Sequence, residues 1–355
     1  MKNRINSARR SAVDGRLARV ALGAGFGLAL AAASVAPAHA ADVTLTLSSW
    51  VPPNHALTRS QMEWCQEVSK ATASRIKCNQ LAKAVAPPPG TFDAIRDGLA
   101  DVSFSVQGYT PGRYVLTQLV EQPFLGGESA ETTSVAYQTV HDKYFAKLNE
   151  HKGLKVLGVF THGPGQIFNS KHPIAKLDDF DGLKIRVGGG MVNDIGKALG
   201  VNITLKPASQ AYELLSSGVM DGVFFPAESI KGFKIEKLIK YRTDFPGGLY
   251  NTSFAIVMNP ATWAKISKED QATITKLSGT HIATLFGKNW DNDDRVSSAY
   301  MQAEGIQTIK ADKAFTETVR KRTAALEAKW VKEAKAKGLA NAEQALKEYT
   351  ALATK

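Results

Sequence analysis

The side chain in this sequence best placed to do chemistry is an arginine. In the stretch Asp181–Gly190, read DGLKIRVGGG, Leu183, Ile185 and Val187 alternate with Lys184 and Arg186. That period of two marks a strand with two different faces. Gly188, Gly189 and Gly190 follow at once, and helical spacing begins near Met191. Arg186 thus sits one residue from the end of a strand that opens into a strand-to-helix loop. Ligands of open α/β sheets collect beyond such strand ends. A guanidinium there presents a rigid fork of donors that matches a carboxylate, so the chemistry on offer is anion capture. The plain alternative is a surface arginine beside a turn, and only the rest of the chain decides between the two.

The remaining reactive residue types do not assemble into a catalytic set. There is no HExxH, no GxSxG and no Walker GxxxxGK[ST], and the one GxGxG, Gly23–Gly27, lies in the leader discussed below. Seven histidines are scattered with no two at metal-ligand spacing. His55 and His162 adjoin loops at strand ends, where a polar lining role suits them better than catalysis. Paired carboxylates such as Asp178-Asp179 and Asp293-Asp294 fall at helix starts or on helix faces, where capping accounts for them. The expectation is a binding protein with no enzyme activity, no cofactor and no metal.

The elements that must position Arg186 come in two similar sets. Phe92–Phe104, FDAIRDGLADVSF, matches Tyr212–Phe224, YELLSSGVMDGVF, without a gap. Phe92 meets Tyr212, Gly98 meets Gly218, Asp101 meets Asp221 and Phe104 meets Phe224. Each unit reads as a short helix ended by glycine, then a strand beginning after aspartate. Two α/β lobes facing each other across a cleft follow from that echo, and domain interfaces are favoured ligand sites. Strands are expected at Val43–Ser49, Arg75–Leu81, Leu154–Phe160, Val201–Leu205 and Phe254–Met258. Helices are expected at Thr58–Lys70, Ser134–Asn149, Trp263–Leu277, His281–Glu304, Phe315–Leu339 and Ala342–Leu352.

Ahead of these elements stands a leader. Lys2, Arg4, Arg9, Arg10, Arg16 and Arg19 precede an apolar run, Val20–Val35, and Ala38-His39-Ala40 supplies small residues at a cleavage site. The run is short and holds three glycines, so it reads as a secretory signal rather than a membrane span. About 315 residues remain, enough for two lobes. Of the formal charge of +11, about +6 belongs to them, with no Lys/Arg run dense enough for nucleic acid. Two cysteines in an exported chain, Cys65 and Cys78, read as a disulfide.

Taken in order, these segments resemble the periplasmic solute-binding proteins of tripartite ATP-independent periplasmic (TRAP) transporters, the DctP-like family. The likeness covers almost the whole chain after the leader. GLKIRV resembles the family's arginine strand, AYELLSSGVMDGVFFP its Tyr-x-x-Leu-x-x-Gly-x-x-Asp-Gly unit, and FAIVMNPATWAKISKEDQATI its Asn-x-x-x-Trp run. The resemblance implies an α/β two-lobe clamshell, each lobe a central sheet flanked by helices, with a long helix bridging both. The expected division is a signal peptide at 1–41, lobe I at 42–162 plus 252–290, and lobe II at 163–251 plus 291–355. It further implies that Arg186 grips a ligand carboxylate. The partners would be an organic acid and the two TRAP membrane subunits, and the protein a periplasmic monomer.

Departures from the family pattern bear on the ligand. Where relatives that bind sugar acids carry polar residues, this chain has Trp50 and Phe225, and where a second arginine often stands it has Gln166 or a neighbour. Apolar walls around one cationic clamp fit a monocarboxylate with an apolar, aromatic or 2-oxo body. Trp50 and Phe225 fit equally as core residues, and the sequence leaves both readings open. Asn251, Gln107 and His162 are the expected polar contacts, whereas Tyr212 reads as a packing residue. The alternatives are a C4-dicarboxylate receptor using Gln166 and His162 for a second carboxylate, a ligand receptor for a sensor kinase, and an exported hydrolase built on His162.

Overall fold

The computed structural model describes residues 42–354, and the leader expected at 1–41 lies outside them. Two mixed sheets form, and the chain visits both. The first takes β1 (Val43–Leu47), β2 (Ile76–Gln80), β3 (Val102–Val106) and β4 (Lys155–Thr161). The chain then crosses into the second, with β5 (Gly165–Asn169), β6 (Lys184–Val187), β7 (Asn202–Leu205), β8 (Gly222–Pro226) and β9 (Tyr241–Asp244). It returns for β10 (Ser253–Met258) and ends its strands with β11 (Gln307–Lys310). The strand orders are β2-β1-β3-β10-β4 and β11-β9-β5-β8-β6-β7. Each sheet holds one strand that runs antiparallel to both of its neighbours: β5 to β8 and β9, and β10 to β3 and β4. Every residue of β10, SFAIVM, is buried, as expected of a strand covered on both faces.

The internal echo is a structural one. Gly98 and Gly218 each close their helix with positive φ, 81° and 70°, a conformation that favours glycine. Beyond them, the Asp101 carboxylate accepts the Thr46 N–H of β1 at 2.7 Å, and the Asp221 carboxylate accepts the Lys184 N–H of β6 at 2.9 Å. The same residue type, three positions past the same glycine, thus ties each second strand to its parallel neighbour.

A 24-residue helix, Thr280–Ala303, joins the two halves. At 1.5 Å per residue it is about 36 Å long. It packs on helices Ala56–Ala71 and Ala130–Val140 beside the first sheet and on Ala227–Gly232 beside the second. The last helix, Ala342–Ala353, packs on Ala130–Val140. Cys65 and Cys78 form a disulfide linking the first long helix to β2, with their Cα atoms 6.3 Å apart.

Three expected helices are interrupted. The Trp263–Leu277 segment breaks at Ile266, where ψ is 139° and Ser267 caps a new helix by accepting from the Asp270 N–H. The Phe315–Leu339 segment divides into Lys313–Thr323 and Ala325–Ala336. There Thr323 turns its hydroxyl back onto the Val319 carbonyl at 2.9 Å, a bond that bends helices. Ser134–Asn149 is regular only to Val140, then widens and tightens before Asn149 stops it with φ 49°.

Candidate functional site

Arg186 leads into the site. It is the third residue of β6, between β7 and β8, and is 2% exposed. Its Nε donates to the Lys206 carbonyl at 2.9 Å, and its Cζ lies 4.5 Å from the centre of the Phe225 ring. Burial pushes its pKa below the usual arginine value, while the phenols of Tyr109 and Tyr250 act the other way. No carboxylate among the described residues pairs with it, although many Lys and Arg side chains elsewhere do form ion pairs. A buried charge without a counter-charge is costly, and the Lys206 carbonyl, a long 3.5 Å contact to the Phe224 carbonyl and one ring face offset only part of that cost.

Beside Arg186 lies a tight hollow of about 40 Å³. The first sheet contributes Trp50, Val106, Tyr109, His162 and Phe254 to its wall. The second contributes Arg186, Gly188, Phe225 and Phe233, and the long helix contributes Trp290. Strand ends of both sheets therefore converge here with the bridging helix. The walls are mainly aromatic, and Arg186 is the only cationic Lys or Arg side chain among the lining residues.

The backbones around the hollow are drawn together. An added Cβ on Gly189 would lie 1.7 Å from the Gly108 carbonyl oxygen, and one on Gly108 would lie 2.5 Å from the Gly189 carbonyl carbon. Next to them Tyr109, which follows β3, accepts the Ala208 N–H on its phenol oxygen at 2.9 Å. Buried Glu121 accepts from the Met191 N–H at 2.8 Å and from the Ser253 hydroxyl at 2.6 Å. These contacts join segments beside the first sheet to the chain that follows β6 and β7.

Of the residues singled out in the sequence, Arg186, Trp50, Phe225, His162 and His55 line the hollow together. Trp50 donates its indole N–H to the Phe104 carbonyl at 2.9 Å, and Phe225 stacks on Phe233 with ring centres 5.7 Å apart. Both also pack against the hydrophobic cores, so the two readings left open, wall and core, hold at once.

Gln107, Gln166 and Asn251 do not line it. Gln107 is enclosed between His151 and the Tyr137 hydroxyl, each at 2.8 Å. Gln166 exchanges two hydrogen bonds with the Phe245 backbone, at 3.1 and 2.8 Å. Asn251 donates to the carbonyls of His162, at 2.8 Å, and Gly163, at 3.2 Å, and so holds the loop that carries the histidine. These three amides tie loops together near the hollow. Their partners are far away in sequence, which is why position at a strand end alone misplaces them.

Tyr109, Tyr250, Phe233 and Trp290 also line the hollow and escape a reading of the sequence. Tyr109 follows β3 directly, the same signal that drew attention to Trp50 after β1. Trp290 gives no such signal, since a tryptophan on the apolar face of a long helix is ordinarily core. Among the described residues no group of three or more His, Cys, Asp or Glu side chains comes close enough to hold a metal ion.

Two sheets joined by a long helix, with one buried cation in an aromatic hollow where strand ends meet, make the layout of a solute-binding protein. The model of bacterial extracellular solute-binding protein, family 7, known as DctP, matches residues 47–334, and the chain belongs to that family. It is similar to a TRAP periplasmic solute-binding protein from Bordetella bronchiseptica whose structure holds (R)- and (S)-mandelate. The identity is 46%, covering 88% of this chain and 98% of that one, with a TM-score of 0.85. A marine metagenome TRAP protein from an unidentified microbe, specific for aromatic acid ligands and holding 3-hydroxybenzoate, is 29% identical. That match covers 88% of this chain and 98% of the other, with a TM-score of 0.82. The outer membrane transporter protein TsaT of Comamonas testosteroni is 28% identical over 92% of this chain and 96% of its own.

Proposed function

We propose that this protein is exported to the periplasm as a monomer, captures an aromatic monocarboxylate in the hollow and delivers it to the two membrane subunits of a TRAP transporter. Arg186 takes the carboxylate. The single observation that carries this reading is a buried guanidinium, with no anionic partner among the described residues, set in a wall of aromatic rings. An incoming carboxylate supplies the missing counter-charge, and an aromatic body meets ring surface on several sides. The mandelate-bound and aromatic-acid-binding relatives support the same class of ligand. A C4-dicarboxylate finds no second cationic Lys or Arg side chain in this wall, and Gln166 is engaged with Phe245.

A thermal-shift panel of aromatic, aliphatic, 2-oxo and dicarboxylic acids tests the proposal. A ligand at 100 times its Kd adds about 2.7 kcal/mol of stability. Stabilisation by aromatic monocarboxylates is the expected result. A response confined to dicarboxylates would contradict it.

A further inference from the structure

Resting on that carboxylate reading, we infer that His162 and Trp290 form a hydroxyl-recognising subsite in the same hollow, which selects hydroxylated aromatic acids over their unsubstituted and keto counterparts. His162 Nδ1 lies 2.5 Å from the Gly163 carbonyl oxygen. A carbonyl only accepts, so Nδ1 carries the proton there, and the neutral ring leaves Nε2 as a lone-pair acceptor. Burial pushes the imidazole pKa down to about 4, in keeping with a neutral ring. Among the described residues Nε2 has no hydrogen-bond partner, and the ring lines the hollow.

Trp290 supplies the complement. Its ring centre is 5.9 Å from that of His162, it too lines the hollow, and it is 2% exposed. Its indole N–H is buried without a partner among the described residues. An indole nitrogen only donates. Two rings of the hollow's wall, with centres 5.9 Å apart, thus carry an acceptor and a donor that no other described residue meets. Tyr250, with its ring centre 5.4 Å from that of His162, lines the same hollow as the carboxylate clamp Arg186.

A hydroxyl both donates and accepts, and answers both groups at once: its proton goes to His162 Nε2, and its oxygen takes the Trp290 N–H. A methylene answers neither. A keto oxygen accepts from Trp290 but turns its lone pairs on that of His162. Sites built to hydrogen-bond a substrate hydroxyl reject the analogue lacking it strongly, because their own polar groups are then left buried and unpaired.

The test is calorimetric titration of the exported protein with phenylacetate, mandelate, 3-hydroxyphenylacetate and phenylglyoxylate, repeated on His162→Phe and Trp290→Phe. The readout is the ratio of each Kd to that of phenylacetate in the same protein. In the wild type, at least one hydroxylated acid should bind at least about tenfold tighter than phenylacetate, and phenylglyoxylate no tighter than phenylacetate. That preference should shrink to near one in each variant that folds, as judged by its melting curve. Equal binding of phenylacetate and both hydroxylated acids by the wild type would overturn the subsite and leave the carboxylate reading standing. A preference that survives in both variants would overturn its assignment to these two residues. Binding of none of the four acids would remove the proposed function and this inference with it.

Discussion

The Arg186 guanidinium lies 4.5 Å from the centre of the Phe225 ring, within reach of a cation–π contact. Phe225 therefore does two things: it eases the burial of the charge and offers the ligand an apolar wall. Replacing it with asparagine removes both and brings in a polar group suited to sugar acids. Phe225→Asn should weaken binding of an aromatic acid by about 1–2 kcal/mol, the size of a desolvated cation–π contact, or roughly tenfold. Calorimetry checks this, and unchanged affinity would show that the ring serves the core alone.

Gly108 and Gly189 set how closely the two backbones approach. An alanine methyl at either position has no room, since the obstructing atoms are backbone. Gly108→Ala should prop the hollow open, enlarging the radius of gyration in small-angle scattering and lowering ligand affinity. If scattering matched the wild type with ligand present, closure would not depend on this contact.

The Cys65–Cys78 bridge closes a loop with a sequence separation of 13. In the chain-entropy model such a loop contributes about 3 kcal/mol. Cys65→Ala with Cys78→Ala should lower the free energy of chemical unfolding by that amount, with ligand affinity changed much less. Thiol titration of the unreduced, denatured protein should find no free thiol.

Asp294, on the long helix, is buried, and burial pushes its carboxyl up to about 7, the Asp291 charge adding to the rise and the Glu228 N–H opposing it. An unfolded aspartate titrates near about 3.9. The folded value is the higher, so the stability this group contributes is present below the unfolded value and lost as pH rises through the folded one. Asp294→Asn keeps an acceptor for the Glu228 N–H and has no charge to bury. The variant should gain on the wild type between pH 5 and pH 8 by at least about 1.4 kcal/mol, the worth of one pKa unit. The depressed histidines His55, His151 and His162 oppose this trend in the wild type, but they cancel in the comparison. Urea unfolding at the two pH values decides, and a constant difference would contradict the burial cost.

What the sequence revealed of this fold was local. Alternation around Arg186, each helix–Gly–strand unit of the echo and the spacing of the two cysteines lie within about 13 residues, where backbone geometry leaves few choices. What it concealed was pairing at a distance. Gln166 is 79 residues from the Phe245 backbone it bonds, and Asn251 is 89 from His162. A glutamine near a strand end has the same local surroundings whether it faces a ligand or a neighbouring loop. Trp290 was hidden for a related reason, since the apolar face of its helix serves as core along part of its length and as cavity wall at one turn.

Arg186 bears the whole proposal, and Arg186→Ala tests it most directly. Removing one member of a desolvated charge pair typically costs about 2–5 kcal/mol, equivalent to roughly 30- to several-thousand-fold in Kd. Calorimetric titration of wild type and variant with one aromatic monocarboxylate should show a loss of that size, while the variant keeps its melting cooperativity. An unchanged Kd in a folded variant would contradict the proposal that this guanidinium holds the ligand carboxylate.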